Sequence, residues 1–361
     1  MQFDELSPEL RALLLSVLSR FGIDVPDNES VDFERIGLDR GYNSAIHRVK
    51  FNGRRRSIAV KITDHEECDV VSMLHNRELA FYTWLSGYLE EDDADEQDLK
   101  QLLRFYGGTK CDTEPGVLIL NDLSNSVCPH PCYIKGYSVD LIFRIVKQIA
   151  GYQAAYLSAD KEATVGRELL AYTLPADKSV PRLGEVQWMT EKMRQYLTEW
   201  TRPENLFAIH TSIPEDVEGI TPTLAHCDLW PGNMIFEKRG KITDLLAILD
   251  WQCFKIGNPL IDIASLIGES LTTEDRREHT EAILRYYVDE ISKRRHRFKR
   301  TFEMTYEKAE QLLSSALRWP CIELLYAVIL VPTDDVKEDG QTMGRLSIRL
   351  KELLSEVIES Q

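Results

Sequence analysis

Residues 223–252 read TLAHCDLWPGNMIFEKRGKITDLLAILDWQ, and this stretch decides the fold. It holds His226, Asp228 and Asn233 in the pattern H-x-D-x-x-x-x-N, then Asp250 at the end of an apolar run. Leu224 and Ala225 close a short apolar segment, and Pro231-Gly232 keeps the following loop from continuing as helix or strand. Met234-Ile235-Phe236 predicts a buried strand, residues 238–241 a turn, and residues 245–249 a second strand. Such a hairpin returns Asp250 to the neighbourhood of Asn233. Phosphoryl transfer from ATP needs a carboxylate near the attacking hydroxyl and oxygen ligands that hold Mg²⁺ against the phosphates. Asp228 fits the first need, Asn233 and Asp250 the second. Taken singly, each residue also fits a turn former or a helix cap; the four together, in this order and spacing, carry the chemical reading.

A nucleotide-binding half is then expected upstream. Residues 33–38 and 45–51 read as strands around a turn-rich loop containing Gly41, Asn43 and Ser44, whose backbone N–H groups could cover phosphates. Asn52-Gly53 turns the chain into a third strand, residues 54–62, which carries Lys61 within its apolar part. A buried lysine needs an acidic partner or a phosphate. Glu78, in the helical stretch His75–Tyr82, supplies that partner, so the pair reads as a clamp on the phosphates. Residues 116–120 form another buried strand, and Asn121 to Leu123 leave it where main-chain groups could meet the adenine edge.

These residues resemble the kinase-like small-molecule phosphotransferases, a group that includes aminoglycoside phosphotransferases and choline/ethanolamine kinases. Among them the chain is most similar to the ecdysteroid-kinase-like, or CHK kinase-like, branch. The resemblance rests on Lys61, NRELAFY with Glu78, LILNDLS, HCDLWPGNMIF, ILDWQ and GNPLIDIASL, between residues 36 and 266. It implies an α+β, two-lobed protein-kinase-like fold: an N-terminal lobe with an antiparallel sheet over residues 1–123, and a mainly helical catalytic and substrate-binding lobe over residues 124–361. It also implies ATP and Mg²⁺ as cofactors, with His226 and Asp228 catalytic, and a hydroxyl of a small molecule as acceptor. Cys227 stands where these proteins usually have glycine. Trp251-Gln252 after Asp250, and Asp262 only twelve residues beyond it, exclude a protein kinase with a full activation segment. Asp262 reads either as an anchor for the catalytic loop or as a helix cap.

Composition bounds the remaining classes. A net charge of −16 argues against a nucleic-acid partner. The start MQFDELSPEL is not a signal peptide, no apolar run is long enough to span a membrane, and seven cysteines without framework spacing fit reduced thiols in the cytoplasm. The acidic run 90–98 reads as a solvated insert, the basic run 293–300 as a helix end, and Cys128-Pro-His-Pro-Cys132 as too sparse for a zinc site. Helices are expected over 139–159, 183–200, 273–291, 306–327 with a break at Pro320, and 341–358. Apolar residues Ile322, Leu324, Leu325, Val328 and Ile329 favour a partly lipophilic acceptor, a steroid or glycoside, over choline or ethanolamine. Two other classes are disfavoured: a silent ATP-binding scaffold should lack one of Lys61, Asp228, Asn233 and Asp250, which are all present, and a hydrolase using Cys227 with His226 would need adjacent residues of an extended segment to face the same way. The Cys227 thiol is also an expected target for thiol reagents.

Overall fold

The computed structural model describes residues 8–20, 22, 31–36, 44–51, 56–64, 69–90, 104–123, 136–159, 186, 188–239, 242–330 and 341–360. Gly41, Asn43, most of the acidic run and the Cys128–Cys132 segment lie outside them.

Five strands form one antiparallel sheet in the order β1 (Val31–Ile36), β2 (Ala45–Phe51), β3 (Arg56–Thr63), β5 (Gly116–Asn121), β4 (Phe105–Thr109). Period-two alternation along β3 sorts its side chains. Ile58, Val60 and Ile62 join Val117 and Ile119 under an N-terminal helix, α1 (Pro8–Arg20), which contributes Leu14, Val17 and Leu18. Ala59 and Lys61 face the other side, where α2 (Asp69–Leu89) packs with Leu118 and Leu120. The alternation thus aims Lys61 at the α2 side of the sheet. The sequence reading had neither α1 nor β4; β4 contains Gly107 and Gly108, which mask a strand pattern.

His75 of α2 joins the sheet to its helix. Its Nδ1 meets Thr63 Oγ1 at 2.9 Å and its Nε2 meets the Thr109 carbonyl at 2.8 Å. Burial is the main cause that lowers its pKa to about 4. In an unfolded chain the same group takes a proton below about 6.5, so its stabilising contribution is complete above that pH and is lost as pH falls towards 4. Between pH 7 and pH 4 the wild type should lose about 3 kcal/mol more than His75→Gln in denaturant titrations. Equal losses in the two proteins would show that His75 is not held neutral.

The rest of the chain is mainly helical: α3 (Val139–Ser158), α4 (Glu191–Trp200), α5 (Pro203–Thr211), α6 (Ile261–Ser270), α7 (Thr273–Ser292), α8 (Tyr306–Ala316), α9 (Arg318–Leu330) and α10 (Gln341–Glu359). The hairpin β7 (Met234–Arg239) with β8 (Ile242–Ile248) forms as the pattern predicts, and β6 (Thr223–Ala225) pairs with β9 (Lys255–Gly257), which the sequence reading lacked. Threonine caps at Thr190, Thr272 and Thr305 start α4, α7 and α8. The break expected at Pro320 falls at Leu317 instead; Pro320 sits in the first turn of α9, where a missing N–H costs nothing. The basic run is spent internally: Arg294 pairs with Glu290, Arg295 with Glu303, and Arg300 donates to the Tyr156 and Ala159 carbonyls. Among the described residues no helix is long and apolar enough to cross a membrane.

Candidate active site

The catalytic-loop residues are placed by α6. Asp262, in its first turn, accepts from the His226 amide at 2.8 Å through Oδ2 and from the Cys227 amide at 2.9 Å through Oδ1. Of the two readings of Asp262, the loop anchor is therefore the observed one. Cys227 has φ 62°, the left-handed region that glycine occupies at little cost, which gives a physical reason for glycine at this position in the resembling proteins. His226 is buried against Trp251, with ring centroids 4.7 Å apart. Its Nδ1 accepts from the Asp228 amide at 3.2 Å and its Nε2 meets the Leu249 carbonyl at 2.8 Å. Both ring nitrogens are thus committed to backbone, and burial lowers the ring's pKa. In this geometry the His226 ring ties the backbone at Asp228 to that at Leu249.

Asn233 ends the loop in a single 3₁₀ turn and donates through Nδ2 to the Asp228 carbonyl and to Asp228 Oδ2, each at 2.9 Å. Its backbone carbonyl accepts from Leu249 N at 2.8 Å, which brings Asp250 back beside the loop as the hairpin reading required. Asp250 is itself left-handed, φ 60°, and makes no side-chain cap to the turn that follows, so the cap alternative does not hold. Lys61 Nζ lies 2.6 Å from Glu78 Oε2 and 2.7 Å from Asp250 Oδ1. Burial disfavours the lysine's charge, but these two carboxylates outweigh it and raise its pKa. Asp228 has its pKa raised by burial first, then by Glu323 and Asp250.

Three residues without an assigned role in the sequence reading pack α2 and α3 against this network. Phe81 stacks on Trp251 at 4.0 Å and 8°, Tyr152 meets the same indole edge-on at 4.7 Å, and Arg77 donates to the Phe254 carbonyl. Arg77 was the legible signal, a charged residue on the apolar side of a helix. On the opposite edge, Ser44 is half-buried at the start of β2. Asn121 spends its side chain on the Arg104 amide at 2.7 Å, and Leu123 packs against the main core.

Cys227 Sγ faces the Ala225 carbonyl at 3.7 Å, while His226 has its ring nitrogens engaged elsewhere, so the two do not form a nucleophile and its base. The thiol is 4% exposed, and burial pushes its pKa up. Burial and the raised pKa both disfavour attack by the thiol reagents for which Cys227 was a target in the sequence reading. Cys227→Gly should keep stability within about 1 kcal/mol, since relief of the left-handed strain offsets the lost packing. Cys227→Val, β-branched at positive φ, should lose about 2–3 kcal/mol. Equal denaturation midpoints for the two variants would remove strain as the explanation.

The family model described as "Uncharacterized oxidoreductase dhs-27" matches residues 44–325. No curated protein matches the chain. Among solved structures, the GDP complex of wild-type aminoglycoside 2'-phosphotransferase-IIIa aligns with a TM-score of 0.50 at 14% identity, over 97% of this chain and 99% of that one. Spectinomycin phosphotransferase APH(9)-Ia with ADP and its substrate aligns at 0.48 and 14%, over 96% of each chain. The Plasmodium vivax ethanolamine kinase aligns at 0.46 and 12%, over 99% of this chain and 86% of that one. With its kinase-like two-lobed α+β fold, the chain belongs to the family described as "Uncharacterized oxidoreductase dhs-27", an ecdysteroid-kinase-like family.

Proposed function

We propose that the protein is an ATP- and Mg²⁺-dependent phosphotransferase that phosphorylates a hydroxyl of a small molecule. The observation that carries this reading is the junction of two networks, Lys61–Glu78–Asp250 and Asp228–Asn233, at the ends of one hairpin. Residues 1–123 form the nucleotide-binding lobe in this reading and residues 124–361 the catalytic and acceptor lobe.

The donor set suits Mg²⁺. Asn233 commits its amide nitrogen to Asp228, which leaves its amide oxygen for a cation, and the Asp250 carboxylate is 29% exposed. Mg²⁺ takes one or two protein carboxylates and completes its shell with phosphate and water oxygens, so a dense acidic cage is not required. Bound ATP supplies the transferable phosphoryl group. Lys61, held by Glu78, would steady the phosphates, while Asp228 would orient the acceptor hydroxyl and take its proton as the new oxygen–phosphorus bond forms, the bond from the γ-phosphorus to its bridging oxygen breaks and ADP leaves. His226 and Asp262 act through the backbone of the loop. Gly41, Asn43 and Ser44 are assigned to the phosphate-covering loop, and the backbone of Asn121 and Leu123 to the adenine edge.

Incubating the protein with labelled ATP and a metabolite extract, with Mg²⁺ or with a chelator, should give Mg²⁺-dependent labelling of an organic hydroxyl. Tight ATP binding without transfer to any compound would instead support the silent scaffold. The family's description raises a second reading, a nicotinamide-dependent oxidoreductase. Dinucleotide-binding folds use a parallel sheet with helices on both faces, whereas every strand pair in this five-stranded sheet is antiparallel. A change in nicotinamide absorbance on adding extract, with labelled ATP left intact, would favour that second reading.

Of the five residues that favoured a lipophilic acceptor, three lie in the core, Val328 is half-buried, and nothing is described of the Ile329 side chain. Ile322, Leu324 and Leu325 are fully buried in the main core, and Trp319 packs on His210 with ring centroids 4.0 Å apart. These side chains hold α9 against the main core.

A further inference from the structure

We infer that Asp122 is the positioning residue for the base end of the nucleotide site: clamped by Arg48 and Ser57, it fixes the main chain of residues 121–123 against which the base would rest. This rests on the phosphotransferase reading of the site. The sheet register supplies the geometry. Between β3 and β5, Lys61 lies opposite Leu118, Ala59 opposite Leu120 and Ile58 opposite Asn121. The next pair along is Ser57 with Asp122, and by alternation it falls on the same face as Lys61. From β2, Ile46 stands opposite Lys61 and Arg48 opposite Ala59 on that face. The face therefore carries Lys61 at one end and the Arg48–Ser57–Asp122 cluster about 13 Å away at the other. Between them Ala59 is half-buried and presents only a methyl group. Beyond Lys61 the way is closed, since Thr63 is buried and its hydroxyl meets His75 of α2 at 2.9 Å. A nucleotide with its phosphates at Lys61 would thus extend its base towards Asp122.

The cluster holds the segment from one side. Asp122 has a side chain only 2% exposed, and its Oδ2 accepts from Arg48 Nε at 2.9 Å and from Ser57 Oγ at 2.6 Å. The second contact has the shortness of a hydroxyl donating to a charged carboxylate. Asn121 is held from the other side. Its amide donates to the Arg104 carbonyl at 2.9 Å, and its side-chain oxygen accepts from the Arg104 amide at 2.7 Å. Arg48 also pairs with Glu34 at 2.9 Å, so its charge keeps a partner when Asp122 is removed. Loss of the Asp122 carboxylate therefore loosens the chain at the base end without stranding a cation.

The test compares two probes by equilibrium dialysis with Mg²⁺: ATP, and tripolyphosphate, which has no base. Asp122→Ala should raise the Kd of ATP about 10-fold or more, the scale of one lost contact, and leave that of tripolyphosphate unchanged. Asp122→Asn, whose amide oxygen can accept both hydrogen bonds, should keep the ATP Kd within about 3-fold of wild type. Ser57→Ala removes only one of the two bonds; it should shift ATP against tripolyphosphate in the same direction, and it decides the matter if Asp122→Ala does not fold. An ATP Kd that neither alanine variant alters, or equal losses for ATP and tripolyphosphate, overturns the inference and leaves the phosphotransferase reading standing. A wild type that binds no Mg·ATP overturns both.

Discussion

Asp228→Asn is expected to lower kcat by about 10²- to 10⁴-fold, the range for a positioned acid/base group, while leaving the fold and nucleotide binding intact. The side chain can be exchanged because of its surroundings. Asn233 Nδ2 donates to Asp228 Oδ2 at 2.9 Å, and an asparagine amide presents an oxygen in the same place. The substitution also removes one of the carboxylates crowded with Glu323 and Asp250, so stability should hold or rise. Turnover measured with labelled ATP, together with the thermal shift on adding Mg·ATP, separates the possibilities. Wild-type turnover would remove Asp228 from the chemistry; loss of the thermal shift would make it a nucleotide-site residue.

Lys61→Met should have the largest effect on stability, about 3–5 kcal/mol, because it strands a buried charge. Glu78 is 2% exposed and has its carboxylate 2.6 Å from the ammonium. Asp250, at 29% exposed, can turn to water and matters less. Replacing both partners, Lys61→Met with Glu78→Gln, should recover most of the loss without recovering activity, as an unpaired charge and not the missing contact is what destabilises the single variant. Denaturant midpoints for the two single variants and the double variant close the cycle. A double variant no more stable than Lys61→Met would show that packing around the methylene chain dominates.

Much of this architecture was legible because its signals are local. The run of apolar residues, turn and apolar residues between Met234 and Leu249 admits little except a hairpin, and a hairpin must bring its ends together. The alternation along β3 placed Lys61 on one face, and the helical spacing around Glu78 gave it a partner. The N-terminal helix and β4 were missed for opposite reasons. The first is defined by what it covers, Val49, Ile58 and Val117 on the sheet; the second owes its pairing to β5 although its glycines disfavour a strand.

The tail shows where local reading fails. Ile322, Leu324 and Leu325 look in sequence like the lining of an apolar pocket, and only packing reveals that they are core. Glu323 stands among them and looks like an exposed helix residue. Its hydrogen bond from Ser265 depends on Gly268 meeting Pro320 across two helices that are far apart in the chain. The sequence by itself determined which residues could carry phosphoryl transfer and the order of the elements that hold them, since hydrogen-bonded turns and side-chain periodicity act over a few residues. The tertiary structure decided that His226 and Asp262 bond the loop backbone, that Cys227 occupies a left-handed position, and that Lys61 stands between Glu78 and Asp250, because each of these depends on burial and on contacts between distant segments that no local pattern encodes.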